Sequence, residues 1–173
     1  MFKTVKLLAI AALIMTNISH SMDQIPVITP YNEERDYPAV KAILAANSKD
    51  LLYPGQPLEY TARYFTSPNY KTDVLRLGDQ TVGFVNYAVF DRTILWMFTW
   101  YRTSLLHLMG VSEEHRRKGY AQLLAQHATD FCKKDGATEI FLQTTLDNTA
   151  AIELYKKLGF KQTGLMLKKP LNK

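Results

Sequence analysis

Arg116, Gly119 and Ala121 stand in the spacing Arg-x-x-Gly-x-Ala, with Arg117 and Lys118 between the first two. Three adjacent cations followed by a glycine suit a phosphate or pyrophosphate, provided a helix starts there. The first N–H groups of a helix lack intrahelical partners and lie at the positive end of its dipole, and a glycine leaves the main chain open to a bulky anion. The spacing is neither G-x-G-x-x-G for a dinucleotide nor G-x-x-x-x-G-K-[ST] for a nucleoside triphosphate. Upstream stands His107, an imidazole that titrates in the useful range and is a candidate base or proton relay. A lone histidine in an apolar run is more often a satisfied core residue.

The flanking pattern supplies the elements that must hold these groups. Leu105, Leu106, His107, Leu108, Met109, Gly110 and Val111 form a short apolar run bounded by polar residues, as expected of a buried strand. From Tyr120 onward apolar residues recur at helical spacing: Tyr120, Leu124, Ala128 and Phe131 share one stripe, with Ala121, Ala125 and Cys132 beside it. The predicted order is strand, anion loop, helix.

These residues resemble the GNAT superfamily of N-acetyltransferases. Its main signature, [Arg/Gln]-x-x-Gly-x-[Gly/Ala] after a strand ending in valine, is matched in register by Val111, Arg116, Gly119 and Ala121. Its second, Asn-x-x-Ala-x-x-Leu-Tyr-x-x-x-Gly-Phe, is similar to the run containing Asn148, Ala151, Leu154, Tyr155, Leu158, Gly159 and Phe160. The resemblance covers roughly Ile25 to the C-terminus, with the first half matching only in general pattern.

What the resemblance implies is an α/β (mixed α+β) fold: a central twisted mixed β-sheet with helices on both faces. Strands ending near Val111 and Thr144 would splay to admit acetyl-coenzyme A as acyl donor. Its pantetheine arm would run along Met109, Gly110 and Val111, pairing with main-chain groups. Its pyrophosphate would sit on Arg116, Arg117, Lys118, Gly119, Tyr120 and Ala121. Asn148 and Ala151 complete the implied cofactor-binding set, although capping a helix explains Asn148 equally well. Tyr155 is the implied general acid, protonating the leaving sulfur while a strand N–H near Met109 steadies the oxyanion. The alternative for Tyr155 is a buried helix tyrosine with a bonded hydroxyl, and Glu113 and Glu114 compete with His107 as base. No metal site is expected, since His20, His107, His115 and His127 show no ligand spacing with carboxylates or Cys132.

The expected activity is transfer of an acetyl group to a primary amine (a small amine, a peptide N-terminus or a lysine) by direct attack. The competing reading is a catalytically inactive acyl-coenzyme A-binding or protein-interaction module with the same fold. Retention of both Tyr155 and the Arg116 loop favours the enzyme. A homodimer is an open alternative. The formal charge of +5 is modest and dispersed, with no nucleic-acid motif, so no nucleic-acid partner is expected.

The remaining chain reads as a scaffold. At 173 residues and 47% hydrophobic content there is room for one domain with a real core. Ile25 to Thr29, with Pro26, suggests an edge strand. A helix follows, with Asn32 as N-cap and Val40, Ile43 and Leu44 on its buried face up to about Asn47. Tyr53 to Pro57 reads as a loop before a helical segment from Leu58 to Phe65. Tyr53, Tyr60 and Tyr64 could line an acceptor pocket or belong to the core.

Asp73 to Leu77, the Gly78-Asp79 turn and Gln80 to Phe90 read as a hairpin. Val82, Phe84, Asn86 and Ala88 are expected on one face, and Gly83, Val85, Tyr87 and Val89 on the other. Ile94 to Tyr101 is nearly all apolar: the hairpin's outer half, a rim of the acceptor site, or a contact surface. Glu139 to Thr144 gives a parallel strand. A helix capped by Asp147 or Asn148 should stop at Gly159, and Phe160 to Lys168 could add a last strand.

Residues 1–21 have the pattern of a signal peptide. Lys3 and Lys6 precede the apolar run Leu7 to Met15, and small residues stand at Ser19 and Ser21. Removal before Met22 would lower the charge from +5 to +3 by taking Lys3 and Lys6, and would leave residues 22–173 as the acetyltransferase-like domain. The run is too short to span a bilayer comfortably, so no stable membrane span is expected. The protein would be exported if the signal operates and cytoplasmic if translation starts later, at Met15 or Met22.

Overall fold

The computed structural model describes residues 24–51, 57–94 and 99–164. Its five strands are β1 (Val27–Pro30), β2 (Lys71–Leu77), β3 (Gln80–Ile94), β4 (Thr99–Val111) and β5 (Glu139–Leu142). They lie side by side in chain order in one open sheet. Every pairing is antiparallel except β4 with β5, which is parallel. The helices are α1 (Glu33–Ala46), the single turn α2 (Ser48–Leu51), α3 (Leu58–Thr66), α4 (Tyr120–Lys134) and α5 (Thr149–Lys157).

Local chemistry accounts for the helix ends. Asn32 takes the N–H of Arg35 at 3.1 Å, and Asn148 takes that of Ala151 at 3.2 Å, each satisfying an orphan donor. After α4 the chain turns at Gly136 with φ of 86°, and after α5 at Gly159 with φ of 87°, conformations that glycine adopts without a Cβ penalty.

Helices cover both faces of the sheet. On one, α4 buries Leu124, Ala125, Ala128 and Cys132 against Leu75, Val85, Tyr87 and Leu106. On the other, Val40, Ile43 and Leu44 of α1 and Phe65 of α3 pack on Val74, Phe84 and Leu108. A buried Asp36 fastens α1 to the sheet, accepting from Arg76 and, at 2.9 Å, from the Thr81 hydroxyl. Asp73 does the same for α4, accepting from Tyr87 Oη at 2.5 Å with His127 Nε2 at 2.8 Å.

Two irregularities depart from strict alternation. Leu75 pairs with Gly83 and Arg76 with Thr81, so Val82 is an extra residue on β3. It therefore joins the α4-side cluster with Val85 and Tyr87 rather than facing the same way as Phe84. Asn86 pairs with Leu108 and Tyr87 with Leu106, so His107 is an extra residue on β4. Such a bulge puts two residues of one strand opposite one of its partner and bends it.

The hairpin's outer half extends in pairing as far as Ile94 with Thr99. Leu95, Trp96, Met97 and Phe98 lie outside the described residues, as do Tyr53 and residues 1–21, where a signal peptide is expected. β5 ends at Leu142, short of Thr144. Phe160 to Gly164 is not a strand, and the remainder of that expected strand lies outside the described residues.

Candidate functional site

The expected anion loop is built where β4 hands over to α4. The sheet ends at Val111, and Ser112 N–H bonds back to Val82 O at 2.9 Å. One 3-10 turn, Glu113–His115, follows, closed by Ser112 Oγ against His115 Nδ1 at 2.8 Å. Arg117 then takes φ of 60° and Gly119 φ of 82°, two left-handed residues that swing the chain into α4. The first helical bond runs from Leu123 N–H to Gly119 O at 3.1 Å, so the N–H groups just before it have no acceptor within the helix.

A Cβ added to Gly119 would meet nothing within 4 Å, so open space lies over the start of the helix. Arg116, Arg117 and Lys118 are exposed around it. Arg116 Nη2 donates to Asn47 Oδ1, just past the end of α1, at 2.8 Å, which fixes one edge of the guanidinium. Tyr120 and Ala121 are half-buried at the first turn.

Beside this loop the sheet opens. β5 pairs with β4 only as far as Leu106, so from His107 to Val111 the β5-facing edge of β4 has no strand partner among the described residues. That stretch holds Met109, Gly110 and Val111. Met109 and Val111 pack on the α4 side. Gly110 serves a packing need as well: a Cβ there would stand 2.8 Å from Ile43 Cγ2 and 3.0 Å from the Phe84 ring. Its bare backbone lets α1 lie close over the strand.

The bulge turns His107 to the α3 side, where its ring meets Tyr64 at 4.3 Å and Tyr70 at 5.1 Å between centroids. Tyr60 packs edge-on to Tyr64, and Phe90 to Tyr70. This is an aromatic wall at the end of the gap. His107 Nδ1 lies 3.0 Å from Asn86 Oδ1, and burial lowers the imidazole pKa. Glu113 and Glu114 are exposed in the 3-10 turn.

Asn148 and Ala151 sit together at the N-terminus of α5, bonded to each other. Tyr155, two turns on, packs its ring on Phe160 at 5.5 Å. Its hydroxyl has no hydrogen-bond partner among the described residues, and burial pushes its pKa up to about 12. The phenol thus keeps its proton through the neutral range and is able to donate it.

Sequence reasoning missed Asn47, Tyr70 and Asn86 as site residues. Asn86 carried a signal: it is the lone amide in the apolar run Val82 to Val89.

The arrangement is an open α/β sheet with a basic loop at a helix N-terminus and a parallel strand pair whose pairing stops at Leu106. Solved structures with this fold include the ribosomal-protein-alanine N-acetyltransferase of Brucella melitensis biovar Abortus 2308, with a TM-score of 0.66 at 18% identity over 85% of this chain and 99% of that one. Another is an aminoglycoside acetyltransferase from an uncultured soil metagenomic sample, with a TM-score of 0.66 at 15% identity over 88% and 100%. Among curated proteins, N-alpha-acetyltransferase 30 of Schizosaccharomyces pombe is 32% identical over 135 residues, 77% of this chain and 82% of that protein. Human N-acetyltransferase 8 is 40% identical over 63 residues, which span 36% of this chain and only 27% of the human protein. The model of the acetyltransferase (GNAT) family matches residues 40–160. The chain belongs to that family.

Proposed function

We propose that the protein is an acetyl-coenzyme A dependent N-acetyltransferase acting on a primary amine. The observation that carries this is the conjunction of an open helix N-terminus at Gly119 with a strand edge from His107 to Val111 that has no strand partner among the described residues. One offers N–H groups and three cations to a pyrophosphate; the other offers main-chain partners to an extended amide arm. Acetyl-coenzyme A supplies the activated acyl carbon and a thiolate leaving group.

The chain's own residues manage the protons. As the amine nitrogen bonds to the acyl carbon and the carbon–sulfur bond breaks, the nitrogen's proton passes to His107 and the sulfur takes the Tyr155 phenolic proton. Both side chains then return to their starting states through solvent. The names of relatives support an amine acceptor: they include an N-alpha-acetyltransferase and a streptothricin acetyltransferase. Around His107 the described wall is aromatic, with Tyr64, Tyr70 and Phe90. Rings of this kind attract a cationic amine through their faces while excluding water.

Calorimetric titration of acetyl-coenzyme A into the protein, followed by an amine panel assayed for released thiol, tests the reading. Saturable binding that weakens about tenfold in Gly119→Ala, with turnover on at least one amine, is the expected result. Absence of binding overturns it.

A further inference from the structure

Asn86 is fully buried on β3, directly behind the bulge that carries His107. Its amide can face only one way. Nδ2 lies 3.1 Å from the main-chain oxygen of Tyr64, which only accepts, and 2.9 Å from Thr72 Oγ1. The Thr72 proton is directed to Phe65 O at 3.4 Å, leaving the Thr72 oxygen to accept from Nδ2. Flipping the amide would set Oδ1 against the Tyr64 carbonyl, two acceptors with no proton between them. Oδ1 is thereby committed to His107, 3.0 Å from Nδ1.

An amide oxygen carries no proton, so the hydrogen in that contact belongs to Nδ1. We infer that Asn86 is a positioning residue that holds His107 as its Nδ1–H tautomer and leaves Nε2 as the atom that takes the amine's proton. Nε2 has no hydrogen-bond partner among the described residues, and His107 is the first residue of β4 beyond its pairing with β5. The Nδ1–H bond to Asn86 is the same in the neutral and the protonated ring. Nε2 can therefore gain and lose a proton without the ring turning over. Among the described residues, the titratable side chains facing the ring are Tyr64 from α3 and Tyr70 from the turn before β2.

This inference rests on the acetyl-transfer reading for its catalytic part, but the tautomer can be measured without turnover. Long-range proton–nitrogen NMR of the protein labelled at histidine nitrogen distinguishes Nδ1–H from Nε2–H. The expected spectrum gives His107 a protonated Nδ1 and a bare Nε2 above its pKa; a protonated Nε2 overturns the inference. Asn86→Leu keeps the volume and removes the acceptor, and should lose the Nδ1–H preference and about tenfold or more in kcat, with KM for acetyl-coenzyme A within about twofold. Asn86→Asp keeps an acceptor against Nδ1 and adds a charge that favours the imidazolium. It should retain the tautomer and most of kcat, with the acid limb of the profile moved to higher pH. A folded Asn86→Leu with unchanged kcat overturns the positioning role. An unaltered protein with no turnover on any amine counts against acetyl transfer, while the histidine spectrum still decides for or against the tautomer.

Discussion

Arg116 Nη2 donates to Asn47 Oδ1 at 2.8 Å, joining the anion loop to the end of α1 across a separation of 69 residues. Asn47 is itself held, since its Nδ2 donates to Ile43 O at 2.6 Å. The guanidinium is thus aimed before any anion arrives, which lowers the entropy it would lose on binding one.

Arg116→Ala should weaken acetyl-coenzyme A binding about tenfold, and Asn47→Ala, which loses only the tether, about threefold or less. Calorimetry at low and high salt checks both. The Arg116 effect should shrink as salt rises, because the loop is exposed and its field is screened.

Tyr155→Phe should bind acetyl-coenzyme A as the unaltered protein does and lose about a hundredfold in kcat. With its pKa pushed up to about 12, the phenol stays protonated through the neutral range. An alkaline limb in the kcat profile near neutral pH therefore cannot come from Tyr155. Rate profiles of the two proteins, measured side by side, settle its role as acid.

His107 should make folding sensitive to mild acid. Burial holds its folded pKa below the ordinary 6.5, so the unfolded chain takes up a proton that the folded chain resists. The stability contributed by the neutral ring is complete above about pH 6.5 and is lost as pH falls below it. Melting temperatures should fall less for His107→Gln than for the unaltered protein between about pH 7 and about pH 5. Equal falls would show that the ring does not resist protonation.

Arg76→Ala should cost about 3 kcal/mol, because it removes the buried cation of Asp36 and leaves only the exposed Arg35, whose Nε lies 3.3 Å from the carboxylate. Asp36 is fully buried and Arg76 nearly so, and the pair joins α1 to β2. Denaturant unfolding measures the loss. Acetyl-coenzyme A affinity should fall with it, since α1 ends at the Asn47 that positions Arg116. Retained stability would mean that the remaining partners of Asp36 suffice: the Thr81 hydroxyl at 2.9 Å, the Asn32 N–H at 2.8 Å and Arg35 at 3.3 Å.

The sequence by itself determined whatever depends on near neighbours. The helix at Tyr120, the cap at Asn32, a cap at Asp147 or Asn148, the turns at Gly78 and Gly159, and the Arg116 to Ala121 loop were all legible, because capping, φ preference and side-chain period act within a few residues. Tertiary structure alone decided that His107 is a bulge residue and that Val82 sits with Val85 rather than Phe84. Both follow from register, which belongs to a pair of strands and is invisible in either one. The same reason hid Tyr70 and Asn86 beside His107, and Asn47 beside Arg116: these contacts arise only when packing brings distant segments together. Spacing along the chain named the groups able to bind an anion and move a proton. The folded sheet set which atom of the imidazole meets Asn86.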